Sequence, residues 1–174
     1  MKTRLLMILF LCLPLCVSAK GAGDNGYDDI DGFFEYCSSI KSPGLRYTYI
    51  SQIMIKRLSA LPVGEFDIGP ISEEVDFIQS VYVVPALGGV DECARKAERM
   101  PDIARENGFE CVMSFNKEGV QTNILLNSGE GGFNSLLMTS VVYNEEGKLE
   151  LAIAALIGGV FTYDEILSLI SKKL

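Results

Sequence analysis

The chain has 174 residues, with 15 basic and 23 acidic side chains and a formal net charge of −8, and it contains neither His nor Trp. Without imidazole it lacks Ser-His-Asp and Cys-His nucleophilic sets, imidazole metal ligands and the usual general base near neutral pH. The acidic balance argues against nucleic acid, whose binding rests on phosphate neutralisation, and no Lys/Arg cluster suits an anionic membrane surface.

Residues 1–19 read as an export signal. Lys2 and Arg4 form the basic start, Leu5 to Leu15 the apolar stretch, and Val17-Ser18-Ala19 a small-residue cleavage site before Lys20. The apolar run is shorter than the roughly 20 residues of a membrane span. Acylation at Cys12 or Cys16 would make a lipoprotein, but Leu11 and Leu15 stand where a small residue is expected, so simple cleavage is favoured over anchoring via Cys16. Removing Lys2 and Arg4 leaves 13 basic against 23 acidic residues, a net charge of −10. That charge suits solubility in a crowded compartment.

Residues 20–29 form a flexible acidic lead-in, rich in Gly, Asp and Asn with little to bury. Its Asp24, Asn25, Asp28, Asp29 and Asp31 fail the EF-hand template. With Gly32 at the sixth position, the first ligand would be Tyr27 and the twelfth Ser38. Residues 30–174 then read as a single α+β domain. Ile30, Phe33, Phe34, Cys37 and Ile40 mark one face of a helix that ends at Ser42-Pro43-Gly44. Leu45 to Ile50 is β-prone, and Ser51 is placed to cap a helix with Ile50, Ile53, Met54, Leu58 and Leu61 inward, closed by Pro62 and Gly64. Phe66 to Pro70 is a loop, Ser72 to Asp76 a helical turn, and Phe77 to Val84 a strand.

Val90 to Asn107 is helical, with Val90, Cys93, Ala94, Ala97, Met100, Ile103 and Ala104 as its apolar stripe. Pro101 predicts a kink, or two consecutive helices with Pro101 opening the second. Asn107-Gly108 is a stop. Gly88-Gly89 reads as a plain turn, because no Walker Lys follows. Four strands succeed: Gly108–Asn116, Val120–Asn127, Phe133–Asn144 and Lys148–Gly158, separated by clusters of Gly, Asn and acidic residues. On the first, Phe109, Cys111, Met113 and Phe115 share one face, opposite Glu110 and Ser114. The fourth is apolar on both faces and so predicts a central strand. Thr162 and Glu165 form a capping box for a last helix that carries Ile166, Leu167 and Ile170 inward. The fold class is therefore α+β: a largely antiparallel sheet with a C-terminal four-strand meander, helices mainly on one face, and a C-terminal helix.

Cys37, Cys93 and Cys111 follow the cleavage site. Three inert core cysteines are the favoured reading and a Cys93–Cys111 disulfide the runner-up, while zinc lacks both C-x-x-C and His. No residue qualifies as catalytic, cofactor-binding or metal-binding, and no cofactor is expected.

Tyr49-Ile50-Ser51-Gln52-Ile53-Met54, Gly108-Phe109-Glu110 and Gly158-Gly159 leading into Asp164-Glu165-Ile166 resemble the domain-of-unknown-function family 4252. Its members are small exported proteins of bacterial cell envelopes, and the order of elements agrees across nearly all of residues 20–174. The resemblance implies an envelope location and this fold, and no activity. Members often look like small lipoproteins, and the long helix of the family is expected to be continuous where this chain has Pro101.

The leading expectation is a non-catalytic binding or interaction module, its partner another envelope protein. One alternative is a carrier of an apolar ligand lined by Phe109, Met113, Phe115, Leu126, Leu137 and Met138. A weaker one is a carboxylate hydrolase pairing Glu110 with Asp164 or Glu165, where a solvated strand position and a helix cap are the simpler explanations. Oligomeric state is left open.

Overall fold

The structure is a computed structural model that describes residues 29–58, 73–130 and 132–166. The residues expected to form an export signal and the acidic lead-in up to residue 28, the Phe66 to Pro70 loop, the end of the second helix and Leu167 to Ile170 lie outside the described residues.

The elements are α1 (Ile30–Ser39), β1 (Leu45–Ser51), α2 (Gln52–Leu58), β2 (Val75–Val83), a 3-10 turn (Pro85–Leu87), α3 (Asp91–Glu98), α4 (Met100–Glu106), β3 (Phe109–Lys117), β4 (Val120–Gly129), β5 (Gly132–Tyr143) and β6 (Leu149–Phe161). A final helical turn covers 163–166. All strands pair antiparallel in one sheet of order β1-β2-β6-β5-β4-β3. The meander thus runs outward from β6 to β3, while β1 and β2 extend the sheet past β6 on its other side. β6 is central, as its two apolar faces require.

The two faces carry separate cores. On the first, α1, α3 and α4 bury Phe33, Phe34, Cys93, Ala97 and Met100 against Val81, Leu125, Leu137, Ala154 and Leu156. The stripe expected over Val90 to Ala104 is the buried stripe observed, and Pro101 sits in the first turn of α4, splitting the segment into two helices. Proline costs nothing there, since a first-turn amide has no helical partner. Asp29 caps α1 by accepting from the Gly32 N–H at 2.6 Å. Burying Phe33 or Phe34 contributes about 1.5–3 kcal/mol each. Their edge-to-face contact, 5.4 Å between centroids, adds roughly 0.5–1.5 kcal/mol.

On the second face, Ile55 of α2 and Ile166 of the last turn cover Val75, Ile124, Leu126, Leu136 and Phe161. Here the structure corrects the expected stripe of α2. Ile55 is fully buried, while Ile53 and Met54 are 66% and 46% exposed. β1 runs into α2 without a loop, so Ile50 is a strand residue, and a helical face counted from it is out of phase. The helical turn expected over Ser72 to Asp76 gives way to β2, which already includes Val75 and Asp76.

A second correction concerns β3. A bulge between Cys111 and Met113 breaks the period-two alternation. Phe109 and Cys111 pair with Asn127 and Leu125 on the helix-covered side, whereas Met113 pairs with Ile124 of the opposite core. A bulge between Val142 and Tyr143, which pair with Leu151 and Leu149, likewise returns Leu149 to the first core. The turn after β3 places Glu118 at φ 55° and Gly119 at φ 80°, the left-handed pair that a two-residue hairpin needs.

Candidate functional site

One cross-strand row organises the molecule's open cleft. Register aligns Phe77 of β2 with Gly158 of β6, Gly158 with Ser135 of β5, Ser135 with Asn127 of β4, and Asn127 with Phe109 of β3. Antiparallel partners lie side by side, so five strands contribute one continuous floor with an aromatic ring at each end and small or amide side chains between. Helix ends wall it in: Asp29 and Asp31 from the start of α1, and Asn107 from the end of α4. Asp76 and Asn134 complete the rim of a cavity of about 530 Å³.

The chemistry of this cleft is one-sided. Three carboxylates and three carboxamides line it, and among the described residues no Lys or Arg does. Asp76 accepts from Gln52 Nε2 at 3.2 Å, and the Asn107 amide donates to the Ile103 carbonyl at 2.8 Å, so both are held by their own supports. Phe77 stacks on Tyr49, with centroids 6.2 Å apart and planes 18° apart, and its ring covers Gly158. Tyr47, beside this aromatic end, donates to Gln79 Oε1 at 3.1 Å, and burial raises its phenol pKa above the ordinary value. Among the described residues no group of three or more His, Cys, Asp or Glu is placed to hold a metal ion. The arrangement suits a hydrogen-bond donor with positive charge.

Of the residues singled out from the sequence, Asp29, Asp31 and Phe109 reach this cleft, and the proposed apolar lining and carboxylate pair do not assemble. Phe109 and Leu137 belong to the helix-covered core, whereas Leu126, Met113 and Met138 belong to the opposite one, and Phe115 is 43% exposed. The sheet itself divides this set, so it lines no common pocket. Glu110 is exposed on the edge strand β3. Glu165 is engaged in the capping box: its carboxylate accepts from the Thr162 N–H and hydroxyl, each at 2.7 Å. These bonds to the charged form hold its pKa below the ordinary value.

Of the three cysteines, only Cys37 and Cys93 are buried; Cys111 is exposed, its Sγ 3.5 Å from the Met113 carbonyl oxygen. Cys93 meets Cys37, in hydrogen-bonding contact, so the pairing of Cys93 with Cys111 is not the one the fold offers. The shared bond and burial push the Cys37 thiol up, while Cys37 donating to it lowers Cys93.

Sequence reasoning missed the cleft residues Asp76, Asn127 and Asn134. The available signal was the pair of amides, Asn127 and Asn134, flanking the turn around Ser128 to Gly132. Among the described residues no helix is long and apolar enough to cross a membrane. No family model, no curated protein and no solved structure matches the chain.

Proposed function

We propose that this chain is an exported, envelope-associated binding module of the kind its resemblance to family 4252 implies, acting without catalysis. Its cleft receives a basic, donor-rich segment of another envelope protein. The observation that carries the reading is the cleft itself, lined by Asp29, Asp31, Asp76, Asn107, Asn127 and Asn134 and, among the described residues, by no basic side chain. An ammonium or guanidinium entering there meets carboxylates and the Asn134 amide around the rim and the Asn127 amide on the floor. Charge-assisted hydrogen bonds of this type are about twice as strong as neutral ones. Phe77 and Phe109 provide flat surfaces for a guanidinium or for the aliphatic stem of a lysine. The rim charges accelerate encounter more than they deepen affinity, so capture should weaken as salt rises.

The test is photo-cross-linking in intact cells from a probe at Asn134, followed by mass spectrometry. One recurrent envelope protein is expected, captured less when Asp31 and Asp76 are both changed to Asn. Capture indifferent to those changes, or turnover of a substrate by the purified chain, would refute the reading.

A further inference from the structure

The fold brings two cysteines from distant parts of the chain into one contact. Cys37 lies in the last turns of α1 and Cys93 in the first turn of α3, and both side chains are fully buried in the same core. Both helices pack on the same face of the sheet, so their relative position is held by that core. Both are free thiols in the structure, and each is the other's side-chain hydrogen-bond partner. Lys96, one helical turn beyond Cys93, is 7% exposed, and its ammonium acts on Cys37 while lying 3.9 Å from Glu92 Oε1. In the folded core burial and Cys93 outweigh this charge and keep the Cys37 thiol protonated, so exchange belongs to a more open chain.

We propose that Cys37 and Cys93 form a disulfide that ties α1 to α3 in the folded chain. The oxidant is an external disulfide, RSSR, whether a small molecule or a protein. The Cys93 thiolate attacks one sulfur of RSSR, forming a mixed disulfide and releasing RS⁻. Cys37 then gives up its proton, and its thiolate attacks the Cys93 sulfur and releases the second RS⁻. Two protein thiols lose two protons and two electrons, and RSSR becomes two RSH. Because both sulfurs are sealed in the folded core, the exchange takes place before α1 docks, and docking then shields the bond from reductant. The bond is independent of what the cleft binds.

Tryptic cleavage resolves the pairing directly. Cys37, Cys93 and Cys111 lie on the separate peptides 21–41, 58–95 and 106–117, and Cys12 and Cys16 lie on 5–20. The full chain is unfolded in denaturant with reductant and refolded in a mixture of reduced and oxidised glutathione. It is then blocked with N-ethylmaleimide and digested without reduction. Peptide 21–41 joined to 58–95, with the maleimide on 106–117, is expected. Maleimide on both Cys37 and Cys93, or Cys111 linked in place of either, would overturn the proposal. A second readout needs no variant: urea unfolding of the refolded chain with and without reductant. Closing a loop of this length lowers the unfolding constant on the order of a thousandfold. A midpoint unmoved by reductant would refute the tie between the helices.

Discussion

Gly158 offers the sharpest quantitative test of the cleft floor. A methyl carbon built on it would lie within 3.0 Å of three carbons of the Phe77 ring. Unstrained carbon contacts are about 3.5–4.0 Å. The ring cannot give way freely, because it also stacks on Tyr49. Gly158→Ala therefore overpacks the site, at about 1–3 kcal/mol. Against this stands the gain of about 0.5–1 kcal/mol from removing a glycine from a strand interior. The net expectation is destabilisation centred on about 1 kcal/mol, within roughly 0–2.5 kcal/mol, from the difference of those two. In a Phe77→Ala background the obstruction is gone, and the same substitution should stabilise by about 0.5–1 kcal/mol. Urea unfolding of the four chains measures the cycle. The effect should change sign between backgrounds, a coupling well outside the ~0.3–0.5 kcal/mol within which independent sites add. Gly159→Ala serves as the contrast. Its added carbon would meet the Glu74 carbonyl oxygen, which is backbone, so Phe77→Ala should not rescue it. Equal effects of Gly158→Ala in the two backgrounds would refute the claim that the Phe77 ring occupies this position.

The observed face of α2 predicts that Ile55→Ala costs about 2–5 kcal/mol and Ile53→Ala within about 0.5 kcal/mol; comparable denaturation midpoints for the two would restore the reading made from periodicity. Tyr143 donates to Glu98 Oε1 at 2.6 Å, and this bond, with burial, pushes its pKa up to about 12. The folded chain thus keeps a proton that the unfolded chain has lost, so this contribution to stability is intact below pH 10 and fades as pH rises from 10 towards 12. Phenolate absorbance, read against Tyr143→Phe, should show that midpoint return towards 10 in Glu98→Gln. Glu165 has the opposite sign: its lowered pKa gives stability that is present above the ordinary value of 4.5 and lost as pH falls through the folded one. Carboxyl NMR titration should find it below that ordinary value, and Thr162→Val should raise it.

What was legible in the sequence was whatever repeats locally. The stripe from Val90 to Ala104 needs only the 3.6-residue period, and the helix break only Pro101. The hairpins need only residues that tolerate positive φ. The central place of β6 follows from apolar side chains on both of its faces. Two kinds of information were not local. One is phase: the bulge at Cys111/Met113 turns Met113 to the opposite core, and the seamless passage from β1 into α2 makes Ile55 rather than Ile53 the inward residue. Each shifts the count by part of a period while leaving the composition unchanged. The other is pairing between distant segments, which brought Cys93 to Cys37 and away from Cys111.

The cleft depends wholly on that second kind. Its floor takes one residue from each of five strands, and none of the five stands out in its own segment. Phe77 looks like a core aromatic, Ser135 like a solvated strand position, Asn127 like a turn residue. Gly158 looks like a weak spot in an otherwise apolar strand. Register gives them a common role, because pairing Phe77 with Gly158 allows a ring to lie across a backbone that has no side chain to block it. The same row carries the small residues that keep the floor low between Phe77 and Phe109, so that helix ends bearing Asp29, Asp31 and Asn107 overhang open space. A one-residue slip in any of these pairings would send that strand's contribution to the opposite face. The hydrophobic demand of the two cores therefore guards the cleft as it guards the fold: Leu137 and Leu156 on one side and Leu136 and Ile157 on the other exclude any one-residue slip.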